Sequence, residues 1–359
     1  MGFIQLSWRL DTRERKRRWL RHRRVCHSVR MEARPTPTAA AAAGVQPRER
    51  VAAAAPPTKP LFGHVVTAMV TPFSLNSAEV DFNVAESLAA HLAENGSDAI
   101  IVAGTTGESP TLTWAEEYEL FRVVRSAVAG TGCKVIAGAG SNSTEEAVEA
   151  TRKSARLGLD GTLQVVPYYN KPPQRGIYEH FRAIALAEPD LPMMLYNIPG
   201  RTGINMLPDT TMQLARDFPN IVAVKEATGD MDQFAKIRNG TDASSFALYS
   251  GDDGLTLPLL ALGGSGAVSV ASHFIGKELQ AMVQAFQRGA AAEALRIHCR
   301  YMELFTALFV MANPIPAKAA LRLQGWSVGV PRLPLTDITP EAEAKLRAVM
   351  TQVGLLRRE

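Results

Sequence analysis

From residue 61 onward, short apolar runs alternate with stretches in which apolar residues recur every three or four positions. The runs are HVVTAMVTP, AIIVAGTT, KVIAGAG, TLQVVPYY, PMMLYNIP, IVAVKEA, FALYSGDD and GAVSVASH, starting near residues 64, 99, 134, 162, 192, 221, 246 and 266. Each has the length of a strand and is almost continuously apolar, as expected where both faces of a parallel sheet are buried. Their spacing of about 20 to 35 residues leaves room for a loop and a crossover helix between successive strands.

Two of the intervening stretches are AEEYELFRVVRSAVAG (115–130) and STEEAVEATRKSARLG (143–158). The second opens on Ser143, Thr144 and two glutamates, which is N-terminal capping chemistry, and closes on Gly158. Eight repeats of strand then helix predict a (β/α)8 TIM barrel over residues 61–289. The alternative is an open doubly wound sheet, but no Gly-x-Gly-x-x-Gly turn follows the first strand. After residue 289 the strand pattern stops. AAAEALRIHCRYMELFTALF, NPIPAKAALRLQGW and TPEAEAKLRAVMTQVGLL read as three helices, so a C-terminal helical domain is expected over 290–359.

Charge divides the chain. Residues 1–60 hold 14 Lys and Arg against 4 Asp and Glu, a balance of +10, and the remainder holds 25 against 31, a balance of −6. The first segment carries RERKRRWLRHRR (13–24) followed by alanine- and proline-rich low complexity, and it lacks the continuous apolar core of a secretory signal. It reads as a disordered basic leader that resembles an organelle transit peptide. Plastid stroma is then the expected location, and cytoplasm if the leader has another role. The acidic remainder gives nucleic-acid binding no support. At 46% hydrophobic residues the chain has the composition of a soluble globular protein. No apolar run reaches the roughly eighteen residues of a membrane span. Cys26, Cys133 and Cys299 have neither metal-ligand spacing nor an even count for a disulfide framework, which fits a reducing compartment.

In such a barrel the chemistry lies at the C-terminal ends of the strands. Reading those ends in order gives Thr105 and Thr106, Tyr168 and Tyr169, Tyr196, Lys225, then Gly251 with Asp252 and Asp253. Of the seven histidines only His273 ends a strand, which argues against metal-assisted hydrolysis. Asp252 and Asp253 after a glycine suit a turn better than a cation. What remains is a lysine among tyrosines and hydroxyls. A lysine amine in an apolar barrel can attack a keto group, and the resulting iminium acidifies the adjacent carbon. Tyrosines can then move protons where no histidine is present. The ordinary alternative for Lys225 is a salt bridge, and for the tyrosines a rim position. Glu226 is a poor salt-bridge partner, because adjacent strand residues point to opposite faces.

GTTGES (104–109), VPYYNKP (166–172), LYNIPGRTG (195–203), VKEATG (224–229), SGDD (250–253) and NPIPAK (313–318) resemble the 4-hydroxy-tetrahydrodipicolinate synthase family, in the form found in cyanobacteria and algae. The resemblance covers about residues 61–355. It implies that Lys225 forms an imine with pyruvate, with Tyr196 as proton donor and acceptor. Thr105 and Tyr169 would complete a proton relay, Tyr169 reaching in from a neighbouring subunit of a homotetramer built as a dimer of dimers. Thr106 would hold the pyruvate carboxylate, with Val268 and Gly251 near the imine. Arg201 offers a planar fork to the carboxylate of L-aspartate 4-semialdehyde, its bland alternative being a loop salt bridge. No cofactor is implied. L-lysine is the expected inhibitor, in a cleft formed by Ser109, Pro110, Trp114, Glu117, Asn142, Glu146 and Tyr168, where Glu117 replaces the histidine of many bacterial members. Another pyruvate-dependent class I aldolase or lyase, or a non-catalytic ligand-sensing barrel, are the rival readings.

Overall fold

The computed structural model describes residues 59–75 and 77–357, and residues 1–58 of the leader, with Cys26, lie outside the described residues. Eight strands form: β1 (Val65–Ala68), β2 (Ala99–Val102), β3 (Lys134–Gly138), β4 (Gly161–Val165), β5 (Met193–Asn197), β6 (Ile221–Glu226), β7 (Ala247–Ser250) and β8 (Gly266–Ser269). They pair in parallel in sequence order, and β8 closes onto β1. Each starts within one residue of the position the apolar pattern predicts.

Alternation of side chains along each strand explains the continuous apolar runs. Val66, Ile101, Ile136, Leu163, Met194, Ala223 and Val268 point inward and fill the barrel. Their neighbours point outward: Ile100 and Val135 pack in one shell with helical residues such as Leu88 and Phe121, and Leu195, Val224 and Leu248 pack in another with Phe181 and Phe234. Both faces are therefore dry, and neither can carry the polar alternation of a half-exposed sheet.

The helices around the barrel include α1 (Phe82–Glu94), α2 (Trp114–Ala127), α3 (Thr144–Arg156), α4 (Gln174–Ala187), the single turn α5 (Pro199–Thr202), α6 (Pro208–Asp217), α7 (Met231–Asn239), α8 (Thr256–Ala261) and α9 (Ser272–Gln287). Local chemistry sets their starts. Thr113 and Glu116 make a capping box at α2, and Ser143 Oγ accepts the Glu146 N–H at α3. Losing such a cap typically costs about 1 kcal/mol.

His273 departs from expectation, since it lies in the first turn of α9 and ends no strand. The strand stops at Ser269 because the Asp253 carboxylate accepts the N–H groups of Val270 and Ala271, at 3.1 and 2.9 Å, and turns the chain into the helix. His273 is buried, with Nδ1 donating to Val270 O and Nε2 accepting from Val70 N–H. Burial pushes its pKa down to about 4, so it serves as a neutral tie between α9 and the segment that follows β1.

Three further helices follow, α10 (Ala291–Ala307), α11 (Ile315–Leu323) and α12 (Pro340–Gln352). Tyr301, Leu304, Leu321, Leu346 and Met350 pack in the same apolar shell as Leu88, Leu92 and Leu120 of α1 and α2. This packing brings the turn between α10 and α11 against the loop that follows β2, where Asn313 Nδ2 reaches Thr106.

Candidate active site

Lys225 sits one residue before the end of β6, paired in register with Tyr196 of β5. It is buried, and its Nζ lies 4.2 Å from the centre of the Tyr196 ring. None of the ion pairs formed by the described residues includes Lys225. Gly251, at the end of β7, donates its N–H to Glu226 O at 2.8 Å, and a Cβ there would stand 3.2 Å from Lys225 Cε and 2.6 Å from Ala227 Cβ. Glycine is thus required for the chain to pass this close to the amine. Glu226 faces the opposite side of the sheet, where Gln233, Asn197 and the Thr228 N–H contact it.

The loop after β2 is held from several sides. Asn313 Nδ2 donates to Thr106 Oγ1 at 2.8 Å, and Arg201 Nη2 donates to Asn313 O at 3.3 Å. Because the Thr106 oxygen already accepts a hydrogen bond, its own proton is available to a ligand. Two residues on, Glu108 is buried in a left-handed conformation, φ 57°, with Lys318 Nζ 2.7 Å from Oε1 and the Arg332 N–H donating to Oε2 at 2.9 Å. Burial pulls the Lys318 pKa down to about 8, against the opposing pull of Glu108. Among the described residues, two lysines are buried, Lys225 and Lys318, and of these Lys318 alone forms an ion pair.

A cavity of about 270 Å³ opens at the strand ends, and its lining includes Thr105, Tyr168, Tyr196 and Arg201. Gly138 also lines it, and a Cβ on Gly138 would come 2.1 Å from the Ala103 carbonyl oxygen. No hydrogen bond joins Thr105 to Tyr196 in this arrangement, although both face the same space. Tyr169 stands apart: it is 88% exposed, in a left-handed conformation of φ 71°. Four of the five non-glycine residues with positive φ among the described residues, Ala103, Glu108, Tyr169 and Lys171, lie in the loops after β2 and β4. Strain concentrated in two loops beside one cavity is characteristic of a functional site. Val268 is buried in the barrel interior, and Asp252 and Asp253 accept backbone N–H groups. Among the described residues no group of three or more His, Cys, Asp or Glu side chains is arranged to hold a metal ion.

A second cavity of about 240 Å³ adjoins the first, sharing Ser109, Pro110 and Tyr168 with it. Trp114, Glu117 and Glu146 complete the part that the sequence singles out, and Asn142 reaches its edge by donating to Tyr168 O at 3.2 Å. Burial raises the Glu117 carboxyl to about 7, although Ser109 Oγ donates to it at 2.7 Å. Sequence reasoning missed Asn313, Glu108 and Lys318. All three sit inside the GTTGES and NPIPAK motifs, whose pairing in space was the absent piece of information.

A parallel (β/α)8 barrel with a buried lysine and a tyrosine side by side at the strand ends is an arrangement of the kind that lysine-imine enzymes of the class I aldolase type require. Residues 61–353 match the model of the dihydrodipicolinate synthetase family, and the chain belongs to that family. It is similar to the 4-hydroxy-tetrahydrodipicolinate synthase of Thermosynechococcus vestitus, with 60% identity over 296 residues, covering 82% of this chain and 99% of the relative. The corresponding enzyme of a Cyanothece strain is 59% identical over 82% of this chain and 99% of its own length. Among solved structures, that of the Cyanidioschyzon merolae enzyme with lysine bound is 74% identical, with a TM-score of 0.82, over 83% of this chain and 100% of that one.

Proposed function

We propose that the protein is a lyase that condenses pyruvate with L-aspartate 4-semialdehyde, the 4-hydroxy-tetrahydrodipicolinate synthase reaction of lysine biosynthesis through diaminopimelate. The observation that carries the reading is Lys225, buried and without an ion-pair partner among the described residues, with its amine 4.2 Å from the Tyr196 ring. The Lys225 amine adds to the keto carbon of pyruvate, and with one proton delivered by Tyr196 the former keto oxygen leaves as water, so that the C–O bond breaks and an iminium remains. Loss of a methyl proton from that iminium gives an enamine, whose carbon attacks the aldehyde carbon of the second substrate. The electron sink is the lysine imine, so the reaction calls for no cofactor.

Tyr196 is the proton donor and acceptor, and Thr105 shares its cavity. Tyr169, exposed on a single chain, completes the relay from a neighbouring subunit, which calls for a homotetramer made of two tight dimers. Thr106 presents its hydroxyl to the pyruvate carboxylate, Arg201 binds the carboxylate of the semialdehyde, and Gly251 and Val268 shape the space around the imine. L-lysine occupies the second cavity, with Glu146 toward an amino group, Asn142 toward the carboxylate and Trp114 along the aliphatic stem. The barrel (61–289) carries the chemistry, the C-terminal domain (290–359) braces it, and the leader (1–60) directs the protein to a plastid.

Borohydride reduction in the presence of pyruvate, followed by peptide mass mapping, tests the central assignment. A pyruvyl adduct on Lys225 is expected, and an unmodified Lys225 would overturn it. Turnover with the semialdehyde, compared with sialic and sugar keto acids, separates this reading from that of a related aldolase. Sedimentation analysis tests the tetramer, and the mass of the mature N-terminus tests the leader.

A further inference from the structure

Behind the sheet, on the face away from the cavity, a second constellation ties together the segments that carry the site. Glu226 is 4% exposed. Its Oε1 accepts the Thr228 N–H at 2.9 Å, and its Oε2 accepts Gln233 Nε2 at 3.0 Å and Asn197 Nδ2 at 3.1 Å. Each of these partners donates and none is a cation, so amide donors hold both carboxyl oxygens in place.

The same amides reach further. Asn197 Oδ1 accepts the Met206 N–H at 3.0 Å and Asn197 Nδ2 donates to Asn205 Oδ1 at 2.8 Å, while Asn205 Nδ2 donates to Gln233 Oε1 at 2.8 Å. The hub therefore joins the end of β5, the segment 198–206 that contains Arg201, the end of β6 and the start of α7. Asn197 follows Tyr196, Glu226 follows Lys225, and both pairs are in register across β5 and β6. Because adjacent strand residues face opposite sides, fixing Asn197 and Glu226 outside fixes Tyr196 and Lys225 inside. Two apolar residues would join the strands without the cost of burying a carboxylate, so strand cohesion alone does not account for this choice.

We infer that Glu226 is a positioning residue for the imine chemistry, holding Lys225 and Tyr196 in their mutual geometry through Asn197 and Gln233. The inference rests on the reading in which Lys225 forms the imine. It predicts damage to turnover rather than to substrate affinity, since the hub touches neither cavity.

The test uses the full chain, with folding monitored by circular dichroism and thermal melting. Pyruvate trapping by borohydride is measured first on the wild type; no adduct there defeats the reading of Lys225 itself, before any variant enters. In E226Q, which keeps the shape and replaces an acceptor oxygen by a donor, kcat and the trapping rate are expected to fall by about 10- to 100-fold, with KM for pyruvate changing less than about threefold. The exchanged variant E226Q/Q233E, which moves the carboxylate across the same contact, is expected to recover most of the lost kcat. A folded E226Q with wild-type trapping and turnover overturns the inference, as does an exchanged variant that regains the melting temperature without kcat. If E226Q does not fold, Q233M removes one donor and leaves both strands intact. Lower kcat at unchanged KM in Q233M then supports the inference, and wild-type kcat overturns it.

Discussion

Lys318 and Glu108 form an ion pair of 2.7 Å in which neither side chain meets solvent, and it fastens α11 to the loop carrying Thr105 and Thr106. Lys318 Nζ also lies 3.9 Å from the centre of the Phe73 ring and 3.3 Å from Val330 O. Removing the cation leaves a carboxylate in a dry site. K318M is expected to cost about 3 to 5 kcal/mol in urea unfolding, and E108Q/K318M to regain much of that loss. Equal stability of the single and double variants would mean that the pair is not coupled.

Lys225 should behave in the opposite way. Its burial without an ion pair among the described residues works against stability, and if Lys225 forms the imine as proposed, K225M abolishes pyruvate trapping and lowers kcat on the order of a thousandfold or more. The same variant should be as stable as the wild type or gain about 1 kcal/mol. A marked loss of stability in K225M would give Lys225 a structural role.

Arg201 is exposed apart from its bond to Asn313 O, and the fork it presents to the cavity is otherwise uncommitted. For R201A, kcat/KM for the semialdehyde should fall by about 10- to 100-fold, while trapping of pyruvate stays within about threefold of the wild type. Equal losses for both substrates would place Arg201 in general loop integrity.

The second cavity gives a pH signature. Burial holds the Glu117 carboxyl at about 7, above its ordinary value of 4.5. Its contribution to folding is therefore fully present below the ordinary value and is lost as pH rises through about 7. Binding of a lysine ammonium has the reverse preference, because it favours the ionised carboxylate. Inhibition by lysine should strengthen by up to roughly tenfold between about pH 6 and pH 8, and E117Q should flatten the profile. Inhibition constants measured across that range in both proteins decide the matter, and a flat wild-type profile would remove Glu117 from the binding of lysine.

The positions of much of the candidate site were legible because they lie at strand ends. Tyr196 and Lys225 fall at the ends of apolar runs, and the barrel places all such ends on one face. The opposite orientation of Glu226 also followed from strand alternation alone. Its partners did not, because Gln233 and Asn205 are polar residues in a helix and a loop with no pattern that singles them out.

The sequence by itself determined the eightfold repeat, the strand positions and the placing of Lys225 at a strand end, since all three depend on local periodicity and on neighbours a few residues away. Only the tertiary structure decided which buried lysine is paired. The Lys318 partner is Glu108, more than two hundred residues earlier in the chain, and the Thr106 partner is Asn313, 207 residues later. Contacts of that kind arise when the barrel closes and the last helices fold back over it. A buried charge takes its meaning from whatever those distant segments bring to it.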